Sequence, residues 1–206
     1  GSCTRRSPAH ERPVTSHAMP REESPPPTVY CLNVALLDVE PMIWRQFEVY
    51  GDVTLNRLHR VLQRVLGWTE SHLHLFEIGG KKYGPPDEEF DMLIIDDRRV
   101  VLSRVFQKVD ASFIYEYDYG DSWRHEISVE RIGPPVRHGT YPRCLSGARA
   151  CPPEDVGGTD GYAEFLEAIR DPKHAEHDHY LTWTGGVFDP EGFDVNAVNR
   201  QLWRMR

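Results

Sequence analysis

Hydrophobic residues recur along this chain at two spacings, and the spacing distinguishes strands from helices. A dense apolar run at residues 30–38 and an alternating run at 43–49 predict two antiparallel strands, and residues 72–78 predict a third. In residues 54–67 the leucines and valines recur every three or four positions, between a threonine that can cap the first turn and a glycine that ends the last. This segment is therefore predicted to be a helix.

The stretch from Tyr115 to His125 predicts a β-hairpin. Aromatic residues alternate before the bend, and Gly120 and Asp121 are residue types that favour a tight reversal. The second strand is expected to span residues 123–132 and to place four side chains on its inward face: Trp123, His125, Ile127 and Val129. The hairpin therefore carries acidic and imidazole groups close to a turn.

The remaining segments complete the fold prediction. Residues 133–158 form a long irregular segment rich in Pro, Gly and Cys, and such a segment is typically functional or held in place by other groups. Helices are expected at residues 161–170, from Phe193 to Leu202 and, as a short element, near residues 100–106. Strands joined as hairpins and packed by a few helices indicate an α+β fold with a mainly antiparallel sheet.

We divide the chain into a tail, residues 1–28, and a single domain, residues 29–206. The tail is rich in Pro, Ser, Arg, Glu and His and nearly free of apolar residues, so it is predicted to be disordered. The whole chain is 39% hydrophobic, which is enough for one ordinary core. It shows no apolar run of about 18 residues, no apolar leader and no cysteine pattern typical of a disulfide framework. We therefore expect a cytoplasmic protein without a membrane partner.

The net charge of −8 counts against wide, nonspecific phosphate binding, which relies on clustered Lys and Arg. The outer face of the predicted helix is the exception, because Arg57, Arg60 and Arg64 there either meet phosphate or are solvated. A nucleic-acid partner is therefore one alternative, although the net charge does not support it. Arg45, on the second strand, is predicted to lie at the rim with its stem along apolar surface.

The best candidate site combines the hairpin turn with the irregular segment. Asp118 and Asp121 lie at the turn and His125 follows it, although a histidine on an apolar face is also commonly a hydrogen-bonded core residue. Glu154 and Asp155 precede a Gly-Gly pair that lets a ligand approach the backbone, or they cap the next helix. We expect the two segments to meet in one water-accessible pocket. Its candidate ligand-binding residues are Asp118, Asp121, Trp123, His125, Glu154 and Asp155.

Four further side chains are candidate metal ligands: His72, His74, Cys144 and Cys151. The histidines are two apart on a predicted strand, so they share a face about 7 Å apart, or they are simply two polar positions on the outer face. Six residues separate the two cysteines, a wider gap than zinc thiolate pairs usually have, and they equally fit buried free thiols. A divalent metal is therefore one candidate cofactor.

Several short motifs follow one another along the chain. They are Trp44-Arg45, Leu55 to His59, Gly67-Trp68, His72-Leu73-His74-x-Phe76, Tyr117 to His125, Cys144-x-x-Gly147, Pro152 to Gly158 and Phe188-Asp189-Pro190-x-x-Phe193. In this combination the chain resembles the plasmid pRiA4b ORF-3-like family, from about Tyr30 to Leu202. The resemblance implies a cytoplasmic α+β domain and members carried on plasmids and other mobile elements. It implies no particular reaction.

Three functions follow from these residues. The first is a binding or accessory module whose polar cleft recognises a ligand or a protein partner. The second is a metal-dependent hydrolase or nuclease, in which Asp118, Asp121, His125 and Glu154 or Asp155 hold an ion that activates water. The third is a nucleic-acid-binding protein linked to transposition or recombination. We favour the first, because the sequence contains no nucleophile–base pair and no complete metal motif. Whether the chain is an enzyme is left open.

Overall fold

An eight-stranded sheet organises the protein. The computed structural model describes Gly1, residues 26–86 and residues 93–205. The strands are β1 (Val29–Leu36), β2 (Trp44–Tyr50), β3 (His74–Ile78), β4 (Lys81–Gly84), β5 (Ile94–Asp96), β6 (Ser112–Tyr117), β7 (Trp123–Gly133) and β8 (Arg143–Ala148). The helices are α1 (Leu55–Leu66), α2 (Leu102–Val105), α3 (Gly158–Arg170), α4 (His177–Trp183) and α5 (Val195–Trp203), with a 3₁₀ turn at Asp97–Arg99.

The strands lie in the order β5-β4-β3-β6-β7-β1-β2-β8, and every neighbouring pair is antiparallel except β4 and β5. The predicted α+β class with a mainly antiparallel sheet is therefore confirmed. The predicted tail lies outside the described residues, apart from Gly1 and residues 26–28, and β1 begins at Val29. The predicted irregular segment was wrong in one part, because it contains the edge strand β8.

Helix α1 packs its apolar stripe against the sheet, as its spacing predicts. Thr54 accepts a hydrogen bond from the backbone N–H of Arg57 at 3.1 Å, and Gly67 ends the helix in the left-handed conformation with φ of 93°. The leucines and valines of this stripe are buried in the main core. Burial of that stripe, rather than helix propensity, is what holds α1 in place.

A buried polar network lies where α1 meets the sheet. The Tyr115 hydroxyl lies 2.8 Å from Nδ1 of His59 and accepts a hydrogen bond from Gln63 at 3.0 Å. The His59 ring stacks on the His74 ring at 3.5 Å, and Nε2 of His74 lies 2.8 Å from Oδ2 of Asp97. Burial first, and the neighbouring His74 second, lower the pKa of His59 to about 2. His59 is therefore a neutral core residue.

Arg45 is buried, so its predicted position at the rim was wrong. Its residue exposure is only 3%, and its guanidinium donates to backbone carbonyls from three parts of the chain. The acceptors are the carbonyl oxygens of Trp44, Val65, Ala148 and Arg149, at 2.7 to 2.9 Å. The ring of Phe193 lies 4.4 Å from the guanidinium carbon. Arg45 thus ties β2 to the end of α1 and to the chain leaving β8.

The β8 edge of the sheet is covered by a side chain. Asn199 of α5 accepts a hydrogen bond from the Cys144 backbone N–H at 2.8 Å and donates one to the Cys144 carbonyl at 2.9 Å. These are the two groups that a further antiparallel strand would use. Helix α5 therefore closes this position of the edge.

Candidate functional site

The hairpin turn between β6 and β7 positions Asp118. Asp118 adopts the left-handed backbone conformation with φ of 59°, and its Oδ1 accepts hydrogen bonds from the N–H groups of Gly120 at 2.9 Å and Asp121 at 3.4 Å. Its backbone carbonyl accepts a further hydrogen bond from Ser122 at 2.6 Å. One carboxylate oxygen is thus committed to the turn, while Oδ2 is directed toward His72, whose Nε2 is 3.5 Å away.

Asp121 connects this turn to the start of α3. Its Oδ2 accepts a hydrogen bond from the N–H of Gly157 at 3.1 Å, which places a carboxylate at the helix N-terminus. Gly158 lies so close that a Cβ added there would be 2.8 Å from the Asp121 carbonyl oxygen, and its φ of 69° also favours glycine. The hairpin turn, residues 118–122, and the Pro-Gly loop, residues 152–157, are therefore in direct contact.

Glu154 connects the same loop to the end of α1 and to β6. Its Oε1 accepts hydrogen bonds from the Tyr117 hydroxyl at 2.6 Å and the Thr69 N–H at 3.1 Å, and its Oε2 accepts one from the Thr69 hydroxyl. Burial tends to raise the pKa of Glu154, but the hydrogen bonds from Thr69 and Tyr117 outweigh it and hold the pKa below its ordinary value. Burial and the neighbouring Glu154 raise the pKa of Tyr117. The carboxylate therefore acts as a fixed acceptor.

Gly161→Ala is expected to lower the free energy of unfolding by about 2 kcal/mol, because a Cβ there would lie 2.1 Å from the Val156 carbonyl oxygen. The better helix propensity of alanine offsets only about 1 kcal/mol of this strain. Urea denaturation measures the change, with Glu164→Ala on the exposed face of the same helix as the control. A variant as stable as the wild type would show that the loop moves aside without loss.

These contacts leave three side chains facing one another: His72, Asp118 and Asp155. Nε2 of His72 lies 3.0 Å from Oδ1 of Asp155 and 3.5 Å from Oδ2 of Asp118, and one ligand atom from each residue lies within 4.8 Å of the other two. The side chain of Asp118 is 10% exposed and that of Asp155 is 69% exposed. The cluster therefore opens to solvent on the Asp155 side.

Two of the predicted cleft residues are buried instead. Trp123 and His125 have residue exposures of 1% and 0%, so a ligand in the cleft contacts neither of them. Nδ1 of His125 donates to the carbonyl of Tyr115 at 3.2 Å, and burial lowers the pKa of His125 to about 4. The alternating pattern of β7 was right, and it directs both side chains into the core.

The other predicted metal ligands are dispersed. His74, the first residue of β3, is buried against His59 and Asp97, whereas His72 lies before the strand. Cys144 and Cys151 are free buried thiols. Burial raises the pKa of Cys144 to about 11 and also raises that of Cys151. In the part of the chain that the structure describes, His72, Asp118 and Asp155 form the one group of three potential metal-binding side chains.

The basic face of α1 is engaged within the chain. Arg60 and Arg64 lie 3.6 Å and 3.1 Å from the carboxylate oxygens of Glu70, and Arg57 donates to the carbonyl of Met205. Each arginine therefore has an intramolecular partner that competes with phosphate.

Sequence comparison identifies the family. Residues 28–197 match the family described as Plasmid pRiA4b ORF-3-like protein. The chain belongs to this family. A relative from Sinorhizobium fredii (strain NBRC 101917 / NGR234), described as Uncharacterized protein y4hQ, is 47% identical over 178 residues, which cover 85% of this chain and 91% of the relative. The range matched to the pRiA4b ORF-3-like family spans the positions of all three residues of the facing cluster.

A solved structure has the same architecture as this pRiA4b ORF-3-like chain. It is described as Crystal Structure of Protein of Unknown Function MM3350 from Methanosarcina mazei Go1, and it superposes with a TM-score of 0.77 at 34% identity. The match covers 84% of this chain and 98% of the other. Within the described residues, no helix combines the length and the apolar character that crossing a bilayer requires.

Sequence reasoning missed two features of the site in this pRiA4b ORF-3-like protein. It paired His72 with His74, whereas His72 faces Asp118 and Asp155. It also missed Tyr117 as the hydrogen-bond donor that holds Glu154. The signal for Tyr117 was its position directly before the hairpin turn, next to the acidic residues.

Proposed function

We propose that this chain is a binding module that captures a positively charged ligand in one acidic cleft. The cleft lies between the hairpin turn, residues 118–122, and the Pro-Gly loop, residues 152–157. The observation that carries the proposal is the group of facing side chains, His72, Asp118 and Asp155, which the surrounding contacts bring within 4.8 Å. Close carboxylates on a fixed frame favour a cation, because each repels the other until a positive charge lies between them.

The charges of the two segments support a cationic ligand. Together they contain four carboxylates and no Lys or Arg. Asp121 and Glu154 hold the segments together, whereas Asp118 and Asp155 each leave an oxygen directed at His72. Two of the four carboxylates therefore build the cleft, and the other two are available to a ligand.

Binding fits this cleft better than turnover does. A hydrolase needs a base next to the activated water. Glu154 is already occupied by hydrogen bonds from Tyr117 and Thr69, and His125 is fully buried. Two of the residues that the hydrolase hypothesis assigns to the site, Glu154 and His125, are thus committed to other contacts, which supports holding a ligand.

A nucleic-acid partner fits less well. The acidic cleft repels phosphate, and the three arginines of α1 already have partners in the chain. An accessory role in a plasmid or another mobile element is compatible with the family description, which names a plasmid. Such a role would use protein or small-molecule recognition, in line with the proposed cationic ligand.

The proposal is tested by NMR on the full ¹⁵N-labelled chain with matched charged probes. A lysine-rich peptide or a divalent cation is expected to shift the amide signals of residues 118–122 and 154–158, and a glutamate-rich peptide is not. Added salt should weaken peptide binding. Asp155→Lys should weaken it by roughly 2- to 10-fold, because this exposed carboxylate contributes a modest charge interaction.

Asp52→Lys is the matched control, since Asp52 is also exposed and lies in a turn after β2. The control should bind the probes like the wild type. Equal shifts with the anionic peptide, or shifts that map to another surface, would overturn the proposal.

A further inference from the structure

We propose that His72, Asp118 and Asp155 bind a divalent first-row transition-metal ion. The inference rests on the proposed function, because it names the cation that the acidic cleft takes. It assigns the ion to one imidazole nitrogen and two carboxylate oxygens that come from three separate segments: the chain before β3, the hairpin turn and the Pro-Gly loop.

The two distances from His72 to the carboxylate oxygens fit a common metal ion. Bonds of about 2.1 Å from one ion to nitrogen and oxygen, at angles between octahedral and tetrahedral, place neighbouring ligand atoms about 3.0 to 3.5 Å apart. Nε2 of His72 is 3.0 Å from the Asp155 oxygen and 3.5 Å from the Asp118 oxygen. Small rotations of the Asp155 side chain would complete the site, since it is the most exposed of the three ligands.

The hydrogen bonding of His72 is a second, independent observation. Its Nε2 atom is buried, yet among the described residues it has no partner in hydrogen-bond geometry, even though two carboxylate oxygens are close. A buried polar nitrogen without a hydrogen bond costs about 1–3 kcal/mol, so it requires a reason. A metal ion between the two carboxylates would account for it, because the Nε2 lone pair would then point at the ion rather than at either oxygen.

The supporting contacts fix two of the ligands before any ion arrives. Asp118 is oriented by the N–H groups of the turn, and its own N–H donates to the Leu73 carbonyl at 2.9 Å, next to His72. The His72 ring packs edge-on against the Tyr117 ring, with centroids 5.8 Å apart. Such outer contacts are the usual means of orienting metal ligands.

The ligand types select the class of ion. Calcium prefers six to eight oxygen ligands, whereas one imidazole with two carboxylates suits zinc, iron or manganese. Three protein ligands leave at least one coordination position for water or a bound molecule, and the exposed Asp155 side of the cluster is where it would lie. The protein would thus hold the ion with a face open to solvent.

Isothermal titration of the full chain, stripped with a chelator, with Zn²⁺ and separately with Mn²⁺ tests the assignment. One ion per chain is expected for the wild type. Asp155→Asn keeps the shape of an exposed side chain and should raise the dissociation constant by about 10- to 100-fold, and His72→Gln should do the same. Circular dichroism checks that both variants remain folded.

Two controls separate this site from adventitious binding. His179→Gln removes a surface histidine of α4, and Asp52→Asn removes an exposed carboxylate, and neither should change the affinity or the stoichiometry. If folded Asp155→Asn and His72→Gln bind like the wild type, or if no ion binds, the metal assignment is overturned. In that case a lysine-rich peptide that still shifts the cleft amides would leave the proposed function standing, and loss of both would remove it as well.

Discussion

Replacing Arg45 by methionine is expected to lower the free energy of unfolding by about 3–5 kcal/mol. The guanidinium satisfies four backbone carbonyls in a site where its residue is 3% exposed. A methionine fills a similar volume but donates no hydrogen bond, so those oxygens lose their partner away from water. The loss follows from desolvated acceptors and not from a broken ion pair, since within the described residues Arg45 contacts no carboxylate.

Urea denaturation of Arg45→Met measures this loss, and Arg45→Lys separates charge from geometry. Lysine keeps the positive charge but has three donors at one point, so it should recover only part of the stability. Arg124→Met is the matched control on the exposed face of β7 and should stay within about 0.5 kcal/mol of the wild type. A loss below about 1 kcal/mol for Arg45→Met would mean that water reaches these carbonyls.

Lowering the pH from 7 to 5 is expected to weaken the fold by about 2 kcal/mol through each of His59 and His125. Burial lowers their pKa values to about 2 and about 4, while in the unfolded chain both have the ordinary value of 6.5. Between these values the unfolded state binds more protons than the folded state, so stability rises with pH. The stability that comes from keeping the two imidazoles neutral is fully present above pH 6.5, and it is lost progressively as the pH falls below that value.

The loss of stability between pH 7 and pH 5 should be about 2 kcal/mol smaller in His125→Phe than in the wild type, because one of the two buried imidazoles with a lowered pKa is gone. His179→Gln removes an exposed histidine and should leave the pH dependence unchanged. Denaturant midpoints are measured with a chelator present, so that metal binding does not contribute. A His125→Phe variant with the full pH dependence would contradict a neutral, buried His125.

The hydrophobic pattern predicted most of the sheet and the helix α1, because these elements bury one face continuously. It also predicted that Trp123 and His125 face inward. It did not reveal β8, whose residues include Ser146 and Gly147 and whose outer edge is satisfied by Asn199 rather than by a strand. A strand held mainly by its neighbours leaves little periodicity in its own sequence.

The candidate site was predictable only where it depends on local sequence. The residue types of the turn predicted the positions of Asp118 and Asp121, and the Gly-Gly pair before α3 drew attention to the two acidic residues that precede it. The partners of His72 were not predicted, because the predicted strand begins at residue 72, two residues before the true start of β3 at His74. The burial of Arg45 depends on carbonyls that are distant in the sequence, and no local pattern encodes their convergence.

The amide of Asn199 has a consequence for how this protein can associate. It occupies both hydrogen-bonding groups of Cys144 on the outer edge of β8, where a neighbouring chain would otherwise extend the sheet. An incoming strand would first have to detach α5, and with it Leu202 from the core. Helix α5 therefore hinders the edge of β8 from pairing with a strand of another chain and so opposes aggregation at this edge.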